Sequence, residues 1–326
     1  MNATRRALLG VPLALAAPRL ARAQAPVVDR TARIIVGFPA GGTVDITARL
    51  LAERLRGVWA PQVIVDNRVG AAGRLALEEA ARSTPDGTTM VITPASMMVI
   101  NPHLYGNRLR YDPINDFAAV SPVTTYPFAL ACGPGATGVT DLPGLVAFAK
   151  SKGGLNYASP AAGSMPHFAG VMLSRAVGVE FVHVPYRGAA PAITDAIAGQ
   201  IPATINVIGD LTEHHQRGLL KMLATTSPTR LTRLPDVPTF AELGYPSLNF
   251  DEWFGIFLPA RTPAGMVSQL NMQIAQVVAD PGYRENMEKR ELQPKHLLAA
   301  DFAARIRAET GVWGPVVQES GFRPEE

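Results

Sequence analysis

Short β-rich runs alternate with amphipathic stretches along most of this chain, and that alternation restricts it to folds in which helices cover a largely parallel sheet. The run Arg33-Ile34-Ile35-Val36-Gly37 is broken by Phe38-Pro39-Ala40-Gly41-Gly42, whose residues favour a turn. A helix follows, because Val44, Ala48, Leu51, Leu55 and Val58 recur at steps of four and three and leave Arg49, Glu53 and Arg56 off the apolar stripe. Val63-Ile64-Val65 reads as the next strand, 67–73 as a Gly-bearing loop and 75–82 as a helix. Pro85-Asp86-Gly87 is then a turn and Met90-Val91-Ile92 a third strand. This βαβαβ succession predicts a parallel, doubly wound sheet.

A second series starts at Phe128-Ala129-Leu130-Ala131. It continues with a helix over 142–150, the strand Leu155-Asn156-Tyr157-Ala158 and the loop Ser159-Pro160-Ala161-Ala162-Gly163-Ser164. A helix over 166–177, the strand Phe181-Val182-His183-Val184, a helix over 191–198 and a strand over 203–207 complete it. Two α/β domains are therefore expected, and 326 residues at 47% hydrophobic suffice for two ordinary cores. No Ser/Gly tether separates the series, so the domains are expected to be joined by short strands, which suits a hinge. The apolar run Trp253-Phe254-Gly255-Ile256-Phe257-Leu258 and helices over 263–279 and 302–317 could cover either domain.

The first residues read as an export signal. Arg5 and Arg6 precede an apolar run from Ala7 to Ala17, and Ala21-Arg22-Ala23 offers a cleavage site after Ala23. Thr4-Arg5-Arg6-Ala7-Leu8-Leu9 also resembles a twin-arginine signal, with the general secretory route as the alternative. Pro12, Pro18 and Arg19 interrupt a run already shorter than the roughly 20 residues of a membrane span. Removing this segment takes away four arginines and no acid, so the formal charge falls from +3 to −1. Lys and Arg are dispersed, which argues against a nucleic-acid partner. The single cysteine, Cys132, cannot form an internal disulfide and is read as a buried apolar thiol.

The ordered motifs of the mature chain resemble the substrate-binding receptors of tripartite tricarboxylate transporters, the Bug receptors. The resemblance is carried by Gly37-Phe38-Pro39-Ala40-Gly41-Gly42 with Asp45 and Ala48-Arg49, by Asn67-Arg68 with Gly70 and Gly73, and by Pro85-Asp86-Gly87. Asn101-Pro102, Tyr111-Asp112-Pro113, Tyr157-Ala158-Ser159 and His183-Val184-Pro185-Tyr186-Arg187-Gly188 continue it. Leu234-Pro235-Asp236-Val237-Pro238-Thr239, Trp253-Phe254-Gly255 and Thr262-Pro263 close it. It implies a type II periplasmic-binding-protein fold with an interdomain ligand cleft and a chain that crosses the hinge twice. The implied first domain is 24–128 plus 251–326 and the second 129–250. It further implies a periplasmic monomer that takes a small carboxylate-bearing ligand, an organic acid or acidic amino acid, and hands it to membrane permease subunits. A ligand-presenting role toward a sensor kinase stays open. The chain departs from the family pattern at Thr43-Val44, Ala161-Ala162-Gly163-Ser164 and Ile205-Asn206-Val207, all in expected ligand loops, which puts the ligand's identity in doubt.

In open α/β sheets ligands sit beyond the carboxyl ends of strands, where loops lead into helix N-termini. Phe38, Gly41, Gly42 and Thr43 form one such loop, in which backbone amides and a helix dipole could hold an anion without lysine. The alternative is a plain strand-to-helix turn. Ser159, Ala161, Ala162, Gly163 and Ser164 form the second, with Ser164 free to cap its helix or to face a ligand. Asp45 reads as an acceptor for ligand or as an acid favoured by the first turn of a helix. His167 reads as a contact or a packing histidine, Tyr186 and Arg187 as flanking the cleft, and Asn206 as a donor and acceptor at a strand end. Nucleophile elbow and phosphate loop are missing from the sequence, and adjacent His214-His215 lack the i, i+4 spacing of a metal pair. A non-enzymatic receptor without a cofactor is the expectation; an exported enzyme acting on a small acid is the alternative.

Overall fold

The computed structural model describes residues 27–324, so the export signal expected at 1–23 lies outside the described residues. The first part runs β1 (Ala32–Val36), α1 (Thr43–Leu55), β2 (Val63–Asn67), α2 (Arg74–Ala81), β3 (Thr89–Pro94), α3 (Ala95–Val99), α4 (Asn101–Tyr105) and β4 (Phe117–Tyr126). The second part runs β5 (Phe128–Cys132), α5 (Leu142–Lys152), β6 (Leu155–Ser159), α6 (Met165–Val177), β7 (Phe181–Pro185), α7 (Ala189–Ile197), β8 (Ala203–Val207), α8 (Ile208–Gln216) and β9 (Lys221–Thr225). The chain ends with β10 (Glu252–Pro259), α9 (Ala264–Ala279), α10 (Pro281–Glu288), β11 (Gln293–Pro294) and α11 (Ala299–Ser320).

These strands form two sheets, ordered β11-β4-β10-β3-β1-β2 and β7-β6-β8-β5-β9. The expected parallel register holds for β1 with β2 and β3, and for β6 with β7 and β8. Both sheets are mixed, however. The buried run Trp253-Phe254-Gly255-Ile256-Phe257-Leu258 lies in β10, antiparallel between β3 and β4, and β5 is antiparallel between β8 and β9. The physical reason is the hinge: β10 and β5, which enter a domain from it, run opposite to the βαβ strands, whereas β4 and β9, which lead out to it, run with them.

The two crossings lie side by side. Tyr126 pairs with Glu252 in the β4–β10 ladder, and two residues further on Phe128 N–H donates to Thr226 Oγ1 at 2.9 Å. Phe250 N–H donates to Thr226 O at 3.0 Å, so Thr226, just after β9, bridges the return crossing to the outgoing one. A hydrogen-bonded two-strand connection bends as a unit rather than flexing freely.

The last helix, α11, has Phe302, Ile306, Trp313 and Val317 buried at helical spacing. Phe302 packs against Trp253 and Phe257 at ring separations of 4.8 and 5.4 Å. A buried Phe contributes roughly 3–5 kcal/mol relative to Ala, enough to hold this end of the helix to the first sheet. Further along, Trp313 meets Phe250 at 5.5 Å and Phe168 of α6 at 6.5 Å, so α11 also reaches the second domain. Cys132 is buried, and burial pushes its thiol up to about 11, as expected of an inert apolar thiol. Among the described residues no helix is long and apolar enough to cross a membrane.

Candidate functional site

The β1–α1, β3–α3, β6–α6, β7–α7 and β8–α8 turns all open onto one cavity between the domains. It leaves about 60 Å³ for the centres of water-sized particles. At roughly 10–15 Å³ per water, that is room for about four to six. The first domain contributes Phe38, Pro39, Gly42, Thr43, Val44, Pro94, Ser96, Met97, Tyr126, Glu252 and Phe254. Phe128 stands at the crossing between the two, and the second contributes Pro160, Ala161, Ser164, Pro166, Ala189, Ala190, Val207 and Asp210. Most of the wall is apolar. Among the described residues, no arginine, lysine or histidine lines it.

Five of the fourteen expected residues lie on this wall: Phe38, Gly42, Thr43, Ala161 and Ser164. The other nine are placed elsewhere, each for a local reason. Asp45 is buried behind the β1–α1 turn, where it accepts from Gly41 N–H at 3.0 Å, Arg49 at 2.9 and 3.0 Å and Asn67 Nδ2 at 3.0 Å. Burial pushes its carboxyl up, but these hydrogen bonds outweigh burial and hold it below its ordinary value. Asp45 therefore shapes the loop, and the Gly41 N–H it holds is not free for an anion. Gly41 itself adopts φ +91°, which a residue with a Cβ rarely does, and so lets the chain turn into α1.

On the second domain, Gly163 N–H donates to His167 Nδ1 at 3.1 Å, so neither group faces the cavity. His167 is buried, stacked on His183 at 3.9 Å and edge-on to Phe322 at 4.5 Å. Burial lowers its pKa to about 4, so it is a neutral packing histidine. Ser159 is occupied by Ala161 O at 3.1 Å and His183 Nε2 at 2.7 Å, and Ala162 beside them is off the wall. Tyr186 donates to Asp195 at 2.7 Å on α7, and Arg187 is exposed. Asn206 donates to Thr204 Oγ1 at 2.6 Å. Strand alternation turns it away from the side on which Val207 meets the cavity. Ser164 neither caps α6 nor binds across the cleft, because its hydroxyl donates to Ala161 O at 2.7 Å.

Several wall residues escaped the sequence reading. Ala189 and Ala190 open α7 after Gly188, and first-turn amides of a helix have no partner within it. With the starts of α1, α6 and α8, this gathers the positive ends of four helix dipoles around one cavity, which compensates for the absence of cations. Small residues in the first turn were the only signal available. Glu252 and Asp210 were also missed. Glu252 Oε1 accepts from Ser96 N–H at 2.6 Å and from the Ser96 hydroxyl, and its Oε2 accepts from Tyr126 at 3.2 Å. Burial, opposed by those hydrogen bonds, pushes its carboxyl up to about 7. Asp210 Oδ1 crosses the cleft to accept from Thr43 N–H at 2.8 Å and Thr43 Oγ1 at 2.5 Å. Burial likewise pushes Asp210 up to about 6.

The domains thus meet in a closed arrangement. Met165 N–H donates to Ser96 Oγ at 3.0 Å, linking the start of α6 to the Glu252 cluster. Gly188, at φ +115°, lies so near Pro39 that a Cβ would come within 2.8 Å of Pro39 Cδ. Arg233 pairs with Glu291 at 3.7 Å at another point of the interface.

A family profile described as tripartite tricarboxylate transporter family receptor matches residues 47–322. The chain is 30% identical over 325 residues to BugT of Bordetella pertussis, covering 99% of each chain. Its fold superposes on an R. palustris protein solved with adipate, with a TM-score of 0.86 and 29% identity, covering 91% of this chain and 99% of that one. It superposes equally on the periplasmic binding protein BugD, with a TM-score of 0.85 and 28% identity, covering 91% and 100%. The expected type II periplasmic-binding architecture is therefore the observed one, and the chain belongs to the tripartite tricarboxylate transporter receptor family.

Proposed function

We propose that this protein captures a small carboxylate-bearing molecule in the periplasm by closing its two domains, 24–128 plus 251–326 and 129–250, and presents it to the permease subunits of a tripartite transporter. The observation that carries this reading is the cavity itself: it is enclosed by both domains and lined by four helix N-termini, with apolar walls and no basic side chain among the described residues. Such a site binds an anion through backbone amides and dipoles. Contact with both halves means that ligand binds the closed state better and shifts the population toward it. Adipate, held by the R. palustris protein, is one such carboxylate. Within the cavity we assign ligand contact to Phe38, Gly42, Thr43, Ala161, Ser164 and the Ala189-Ala190 turn.

The chain performs no chemistry on the ligand in this reading, acts as a monomer and needs no cofactor. It reaches the periplasm by cleavage after Ala23, through the twin-arginine route that Arg5 and Arg6 suggest. Equilibrium dialysis against a panel of small mono- and dicarboxylates, with small-angle scattering of each mixture, tests the reading. The expected result is saturable binding of at least one carboxylate, recovered unchanged, with a smaller radius of gyration. No binding across the panel, or conversion of the bound compound, overturns it.

A further inference from the structure

We propose that Asp210 and Glu252 select among carboxylates, so that the cleft takes a small molecule carrying a protonated amine as well as its carboxylate, on an apolar body. This rests on the receptor reading above and narrows its ligand to a zwitterion. Two acids stand on the cavity wall, one from each domain, and no cation among the described residues stands there to balance them. A dicarboxylate closed into this space would add two further negative charges beside them. A zwitterion adds none and can set its ammonium against the acids while its carboxylate meets helix amides.

The acids are also placed for the task. Both hydrogen bonds to Asp210 fall on Oδ1, and Oδ2 has no protein partner among the described residues. Glu252 is almost fully buried and fixed by Ser96 and Tyr126, so its carboxylate is held in place before ligand arrives. Ser96 receives the start of α6, so Glu252 lies at the junction that closes around ligand. Burial raises both carboxyls above their ordinary values, the condition expected of acids that still lack a cation. Phe128, Phe254, Val207 and Pro166 supply the apolar surround.

Calorimetry near neutral pH with two matched probe sets tests this. One set is butyrate, its α-, β- and γ-amino derivatives and succinate; the other is phenylacetate and phenylglycine. At least one amino acid should bind about tenfold or more tighter than its amine-free partner and than succinate. In Glu252→Gln and Asp210→Asn that preference should shrink to a few-fold, while butyrate or phenylacetate binds as well as or better than in the wild type. Both variants keep the oxygen that accepts from Ser96 or Thr43, and cooperative melting no lower than that of the wild type would show them folded. Stronger binding of succinate or of the amine-free probes by the wild type overturns the proposal and leaves the receptor reading intact. So does an amine preference that survives in both variants, or silence of both sets while another carboxylate of the panel binds. Silence of the entire panel overturns the receptor reading and this proposal with it.

Discussion

Glu252→Gln should remove one large part of the pH dependence of stability. Burial raises this carboxyl from 4.5 to about 7 against the pull of Ser96 and Tyr126. The folded chain therefore keeps a proton that the unfolded chain releases between those values. Below about 4.5 both states are protonated and the contribution is full; as pH rises through about 7 it is lost. A rise from 4.5 to about 7, at about 1.4 kcal/mol for each tenfold change in proton affinity, makes the loss about 3–4 kcal/mol. Glutamine has the shape of the protonated acid but cannot ionise, so it escapes the loss. Denaturant unfolding of both proteins from pH 4 to 8 isolates this site, because other titrating groups cancel in the difference. Stability of the variant relative to wild type should climb by about 3–4 kcal/mol, with most of the rise between pH 4.5 and 7. A flat difference would refute the buried, raised carboxyl, and a falling one would mean that Glu252 is stabilised as an anion.

Other consequences test separate parts of the structure. Gly188→Val adds strain at φ +115° and a clash with Pro39 that exists only when the domains close, so affinity for any bound carboxylate should fall on the order of tenfold to a hundredfold. Calorimetry reads this, and unchanged affinity would mean that ligand binds without this closure. Asp45→Ala removes the acceptor for Gly41, Arg49 and Asn67 and should cost about 2–3 kcal/mol near neutral pH. Because the Asp45 carboxyl is held below its ordinary 3.8, its contribution is present above that value and fades as pH falls beneath it; an equal cost at all pH values would contradict the hydrogen-bonded anion. Intact mass of protein from the envelope fraction should correspond to a chain beginning at Gln24, whereas retained Arg5 and Arg6 would exclude the proposed cleavage.

The architecture was legible because strand and helix periods are local properties: the stripe from Val44 to Leu55, the strand begun by Val63-Ile64-Val65 and the strand Ala203–Val207 declare themselves within a few residues. The mixed character of the sheets was not, since nothing in Phe128–Cys132 or Glu252–Pro259 records which way a neighbour runs. The cleft was half legible. Loops after strands were the right places to look, and Phe38, Gly42, Thr43, Ala161 and Ser164 do line the cavity. Polar residues in those loops misled because the fold spends them internally, Asp45 on the β1–α1 turn and His167 on Gly163 N–H. Glu252 and Asp210 were invisible for the opposite reason: one is the first residue of a core strand and the other lies in the first turn of an unremarked helix, and only tertiary contact brings them to Ser96 and Thr43.

The most direct test of the receptor account is native mass spectrometry of protein purified without dialysis, alongside Ala190→Trp, whose indole would fill the cavity beside the α7 amides. The account predicts that wild type carries a small molecule, released on denaturation as a carboxylic acid, and that folded Ala190→Trp is empty. Wild type carrying a ligand without a carboxyl group, or the filled variant retaining the same acid, would contradict it.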